Sequence, residues 1–134
     1  MRSAGINWLA VIAAAIAVYA IGFIIYAVMM PMDLYLSLNG MTEAQQEAAN
    51  ARMAYSPLMP ILTAVFMAVL FKWGQVSGAM NGAKWAMVIA LASAIPTMLY
   101  GWVYGGLNSN MALVDNSHLL LGHMAAGAIL GRWK

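Results

Sequence analysis

The chain has 134 residues, 64% of them hydrophobic and only 7% charged, with a mean hydropathy of +0.79. A soluble domain of this length cannot hide so much apolar surface, so the composition points to an integral membrane protein forming a single transmembrane domain over residues 1–134. The absence of cysteine excludes disulfides and thiolate metal sites, and six basic against four acidic residues are too few for a nucleic-acid surface.

Four apolar runs follow one another, at about 6–30, 55–73, 85–104 and 111–130. Each approaches the roughly 20 residues a helix needs to cross a bilayer, and backbone groups in lipid must be satisfied within the segment. The runs lack the two-residue alternation of barrel strands. They predict an all-α bundle of four transmembrane helices. The first run is expected to stay as an anchor, because its apolar core is longer than the roughly 7–15 residues of a signal peptide.

With four crossings, Arg2, Lys72, Lys84, Arg132 and Lys134 share one side and Arg52 alone lies on the other. This bias predicts cytoplasmic N- and C-termini, and Trp8, Trp73, Trp85 and Trp133 fall beside the same boundary. The outer loop between the first two runs holds the turn pair Asn39 and Gly40, then Thr42 with Gln45 three residues on. That spacing is a capping box and predicts a short amphipathic surface helix. The second loop, "GQVSGAMNGAK", reads as a flexible turn and lacks the context of a phosphate-binding loop.

Counting inward from the basic anchors at ~1.5 Å per residue brings Thr63, Ser93 and His123 to about 13 Å depth, near the midplane, with Tyr19 roughly a turn further out. This intramembrane polar layer supports two readings: hydrogen bonds that hold helices together, or a proton or substrate station. Nearer the outer surface a rim of Asp33, Asp115, Asn116 and His118 is expected, with Asp115 either capping the last helix or accepting from His118 at i, i+3. His118 and His123 are about 140° apart on a helix and are expected to form separate sites, not a metal pair. No metal site and no cofactor are expected.

Pro96 should kink the third helix, with Ser93 and Thr97 satisfying freed backbone groups. Gly101 and Gly105, Gly127 and Gly131, and Gly122 and Ala126 have the spacing that lets helices approach closely. The chain is methionine-rich, with 13, and Met29, Met30 and Met32 cluster at the outer exit of the first helix. Thioethers suit Cu(I), but methionine scattered over every run reads more simply as gap-filling.

The opening "INWLAVIAAAIAVYAIGFIIYAV", the segment "IPTMLYGWVYGG" and the ending "DNSHLLLGHMAAGAILGRW" resemble a family of small four-helix bacterial integral membrane proteins of unknown function, the DUF1761 family. Ile25 and Tyr26 stand where members often carry a Trp-Tyr pair. The resemblance implies a multi-pass protein of the bacterial inner membrane and carries no catalytic residue over. Residues and resemblance together predict a non-catalytic membrane protein, either a self-associating bundle or an accessory subunit of a larger membrane complex. The alternative is a small oligomeric transporter or channel with its path at His123, Ser93, Thr63 and Tyr19; a histidine-liganded haem or pigment subunit is the weaker one.

Overall fold

Long apolar stretches without strand alternation have one way to satisfy their backbone, and the computed structural model, which describes residues 2–3 and 5–133, is all-helical but for the two-residue pairing of Arg2–Ser3 with Ile6–Asn7. Helix α1 spans Trp8–Phe23 and runs on through a wide π turn at Ile24–Met29. The outer loop folds into α2 (Met32–Asn39) and α3 (Glu43–Asn50). Gly40, at φ +62°, ends α2, and the capping box starts α3: Thr42 Oγ1 accepts from Gln45 N while Gln45 Oε1 accepts from Thr42 N. Then come α4 (Leu58–Trp73), α5 (Ala79–Ile89), a π turn at Ala90–Ala94, α6 (Ile95–Gly105) and α7 (Ser109–Arg132).

Pro96 lies at the start of α6, directly after that π turn, so the helix absorbs the missing donor by widening. Ser93 Oγ donates to Ile89 O and Thr97 Oγ1 to Ser93 O, which ties side chains to backbone carbonyls beside the break.

Three helical stretches are long and apolar enough to cross a membrane: Trp8–Met29, Met53–Trp73 and Ala79–Gly105. Only 22%, 28% and 11% of their most apolar windows are buried inside the bundle, so their apolar surface faces outward, compatible with lipid as the surrounding solvent. The fourth, α7, is 24 residues long but lies outside that class, because Asp115, Asn116, Ser117, His118 and His123 interrupt it. It is also the helix with most covered positions. It packs along α5 and α1 and also meets α4 and α6.

The closest approach is between α5 and α7. Gly78 N donates to Gly131 O at 2.8 Å. A Cβ built on Gly82 would overlap the Gly127 carbonyl, one on Gly127 would overlap Ala86 and the Gly82 carbonyl, and one on Gly131 would overlap the Gly78 carbonyl. One sequence expectation is corrected here. Only the first part of the "GQVSGAMNGAK" stretch, 74–78, is a turn, since helix begins at Ala79 and Gly82 is a packing residue within it; the third helical stretch therefore starts at 79, not 85. Gly101 and Gly105 meet nothing within 4 Å and face outward, whereas Gly122, Gly127 and Gly131 of α7 pack inside the bundle.

At the same end of the bundle, Asn7 Nδ2 donates to Trp133 O at 2.8 Å, and Lys72 lies against Gly5. The first and last helices thus have their chain ends together. Lys134 and the Arg2 side chain, counted above among the bases of one side, lie outside the described residues.

Gly127→Leu is expected to lower stability in detergent by roughly 1–3 kcal/mol or to abolish folding, since the added atoms fall on backbone. Gly101→Ala should leave stability unchanged or raise it by about 0.4–1 kcal/mol, because its Cβ enters open space on a helix. Thermal unfolding followed by circular dichroism checks both; equal melting of the two variants would contradict the packing described.

Candidate functional site

Away from the glycine contact the helices separate and form a half-open cavity of about 460 Å³. Helix α1 and its π turn supply Val18, Tyr19, Gly22, Phe23, Tyr26 and Ala27 to its wall; Met53 and Ser56, with Met59, Pro60 and Thr63 of α4, face them. Met98 of α6 and the strip Asp115, His118, Leu119 and His123 of α7 close it. The volume falls within the ~300–1,000 Å³ of small-molecule sites, and the mixture of apolar wall and few polar groups is typical of them.

The polar groups form a defined set. Tyr26 Oη donates to Asp115 Oδ1 at 2.5 Å, and the Tyr26 and His118 rings meet edge to face with centroids 5.4 Å apart. His118 Nε2 is buried against the backbone of Gly22 and has no hydrogen-bond partner among the described residues. His123 is the buried polar residue of the core, with Nδ1 2.7 Å from Leu119 O. A carbonyl can only accept, so Nδ1 carries the proton, and in the neutral ring Nε2 is left as an acceptor. Tyr19 Oη and Ser56 Oγ lie 3.3 Å apart, linking α1 to the segment before α4.

Of the expected midplane layer, Thr63, His123 and Tyr19 share this cavity and Ser93 does not. Ser93 is exposed on the outside of the bundle, with its hydroxyl spent on its own helix. Of the expected rim, Asp115 and His118 line the cavity; Asp33 is exposed on α2, and Asn116 has a buried, unpartnered Oδ1 away from the cavity wall. Asp115 is not a helix cap. Asn108 takes that role, accepting from Asn110 N and Met111 N, because the αL residue Gly106 ends α6 and α7 starts almost at once. Asp115 therefore sits inside a helix and faces Tyr26, and no Asp115–His118 hydrogen bond forms.

The two histidines are also not separate. Both line the one cavity, since its wall on α7 extends over more than a turn, from Asp115 to His123. No group of three or more His, Asp or Glu suited to a metal occurs among the described residues. Tyr26 and Gly22 went unrecognised in the sequence, although Tyr19, Gly22 and Tyr26 repeat at i, i+3, i+7 and so share the face that meets α7.

Tyr26→Phe, which leaves Asp115 without its donor, is expected to cost about 1.5–3 kcal/mol of stability. Tyr19→Phe, whose bond is longer and exposed, should cost well under that. Denaturant titration in detergent compares them, and equal losses would contradict the central place given to the Tyr26–Asp115 pair.

No curated protein and no solved structure matches the sequence. The family model of DUF1761, a family described as proteins of unknown function, matches residues 9–131, which spans every helix that builds the cavity. The chain therefore belongs to the DUF1761 family.

Proposed function

We propose that this is a non-catalytic integral membrane protein of the bacterial inner membrane that binds a small, largely apolar molecule within the bilayer, as the binding unit of an oligomeric transporter-type assembly. The observation that carries the reading is the cavity of about 460 Å³ with Asp115, His118, His123 and Tyr26 in an otherwise apolar wall.

In this reading α7 is a fourth crossing, kept out of lipid by the other three helices, which reconciles its polarity with its length. Lys72 and Arg132, beside Trp73 and Trp133, support a cytoplasmic location for the end where Asn7 meets Trp133. The outward Gly101 and Gly105 of α6 supply a small-residue face of the kind used for association between copies. The weaker haem or pigment reading draws on one bond, His123 Nδ1 to Leu119 O, which resembles the support given to an axial ligand.

Native mass spectrometry of protein released from its own membrane tests the proposal. The wild type is expected to retain a small-molecule adduct that Thr63→Trp, which fills the cavity, loses while keeping its helical content. The same adducts on both proteins, or none on the wild type, would count against an internal binding site.

A further inference from the structure

The cavity wall is selective in the kind of polar group it offers. None of the described Lys or Arg side chains lines it, and Asp115 is the one Asp or Glu in its wall. Asp115 forms no ion pair among the described residues; its recorded hydrogen-bond partner is the neutral hydroxyl of Tyr26. A carboxylate inside a helical bundle without a cation is costly unless something compensates it.

Several donors of the wall are already engaged. The Tyr26 hydroxyl is spent on Asp115 and His123 Nδ1 on Leu119 O, while Tyr19 and Ser56 share one hydrogen bond between their two hydroxyls. What stays free is the rest of the Asp115 carboxylate, the Nε2 lone pair of His123 in the neutral ring, the unpartnered Nε2 of His118 and the Thr63 hydroxyl. Asp115 is the one carboxylate among them. Tyr19, Phe23 and Tyr26, from α1 and its π turn, also line the cavity, and aromatic rings attract a cation through their quadrupoles.

Resting on the binding role proposed above, we infer that the cavity takes a lipophilic organic cation with N–H donors, that is, a protonated amine on an apolar body, with Asp115 as its counter-charge. The amine donates to Asp115, and its hydrocarbon lies against the aromatic and methionine wall. An anionic ligand would face the Asp115 carboxylate with no Lys or Arg among the wall residues, and a neutral one would leave the carboxylate without a counter-charge.

Adamantylamine and adamantanol share one apolar body and differ in charge. Their binding to full-length protein in phosphatidylcholine nanodiscs, measured by equilibrium dialysis against empty nanodiscs, tests the inference. The amine is expected to bind the wild type about tenfold tighter than the alcohol or better, and Asp115→Asn to lose that preference while still binding the alcohol. Asp115→Glu, which retains the charge, is expected to keep the preference, and it carries the test if Asp115→Asn does not fold. Equal binding of the two probes to the wild type, or a preference that survives in Asp115→Asn, would overturn the cation assignment and leave the binding site standing. Neither probe binding above empty nanodiscs, or both binding Thr63→Trp as they bind the wild type, would overturn the binding site itself.

Discussion

The backbone contact between α5 and α7 sets the arrangement of everything else. Gly78, Gly82, Gly127 and Gly131 bring the two helices so close that no side chain fits between them, and the Gly78–Gly131 hydrogen bond fixes their relative register. With its glycine face turned to α5, α7 turns the strip of Asp115, His118 and His123 toward α1 and α4. The other contacts are softer. Ala10, Ala14, Ala64, Ala68, Ala86 and Ala126 make a core of small side chains, which permits close helices without locking one register as glycine does.

Polarity in this bundle runs from inside to outside in the reverse of a soluble protein. The three most apolar stretches expose most of their surface, and the least apolar long helix is the one most enclosed. A polar helix gains from that position only if its polar atoms find partners there, and here some do and some do not. Asp115 has Tyr26 and His123 has its own backbone, whereas His118 Nε2 and Asn116 Oδ1 are buried without partners. Unsatisfied buried atoms are rare in native structures, so their concentration on one helix, with two of these residues' neighbours lining a cavity, marks α7 as shaped by something besides packing.

Much of this was legible in the sequence because it depends on local rules. Apolar runs too long for a soluble core became helices, Thr42 and Gln45 became a capping box, and Gly127 and Gly131 became a packing face. Thr63, His123 and Tyr19, which a count of depth put at neighbouring levels, line one cavity. Depth, however, gives a level and not a direction around the helix, and Ser93 at the right level points out of the bundle beside the π turn that accommodates Pro96. Asp115 misled for another reason: it suits a cap, but Asn108 suits one too, and the chain reversal at Gly106 decides between them. Gly82 looked like a turn residue because glycine disfavours helix by itself, a preference of about 1 kcal/mol that a tertiary contact readily overrides.

The central claim is that α7 lines an internal space reachable by small molecules, and the absence of cysteine from the chain makes a direct measurement possible. Single cysteines at Thr63→Cys, on the cavity wall, and Ala64→Cys, at the same depth but fully buried, can be challenged with a small water-soluble methanethiosulfonate in reconstituted vesicles. The account predicts rapid modification of Thr63→Cys, slowed by an added occupant such as adamantylamine, and little modification of Ala64→Cys. Equal, slow modification of both would mean that the space is closed and packed, and would contradict it.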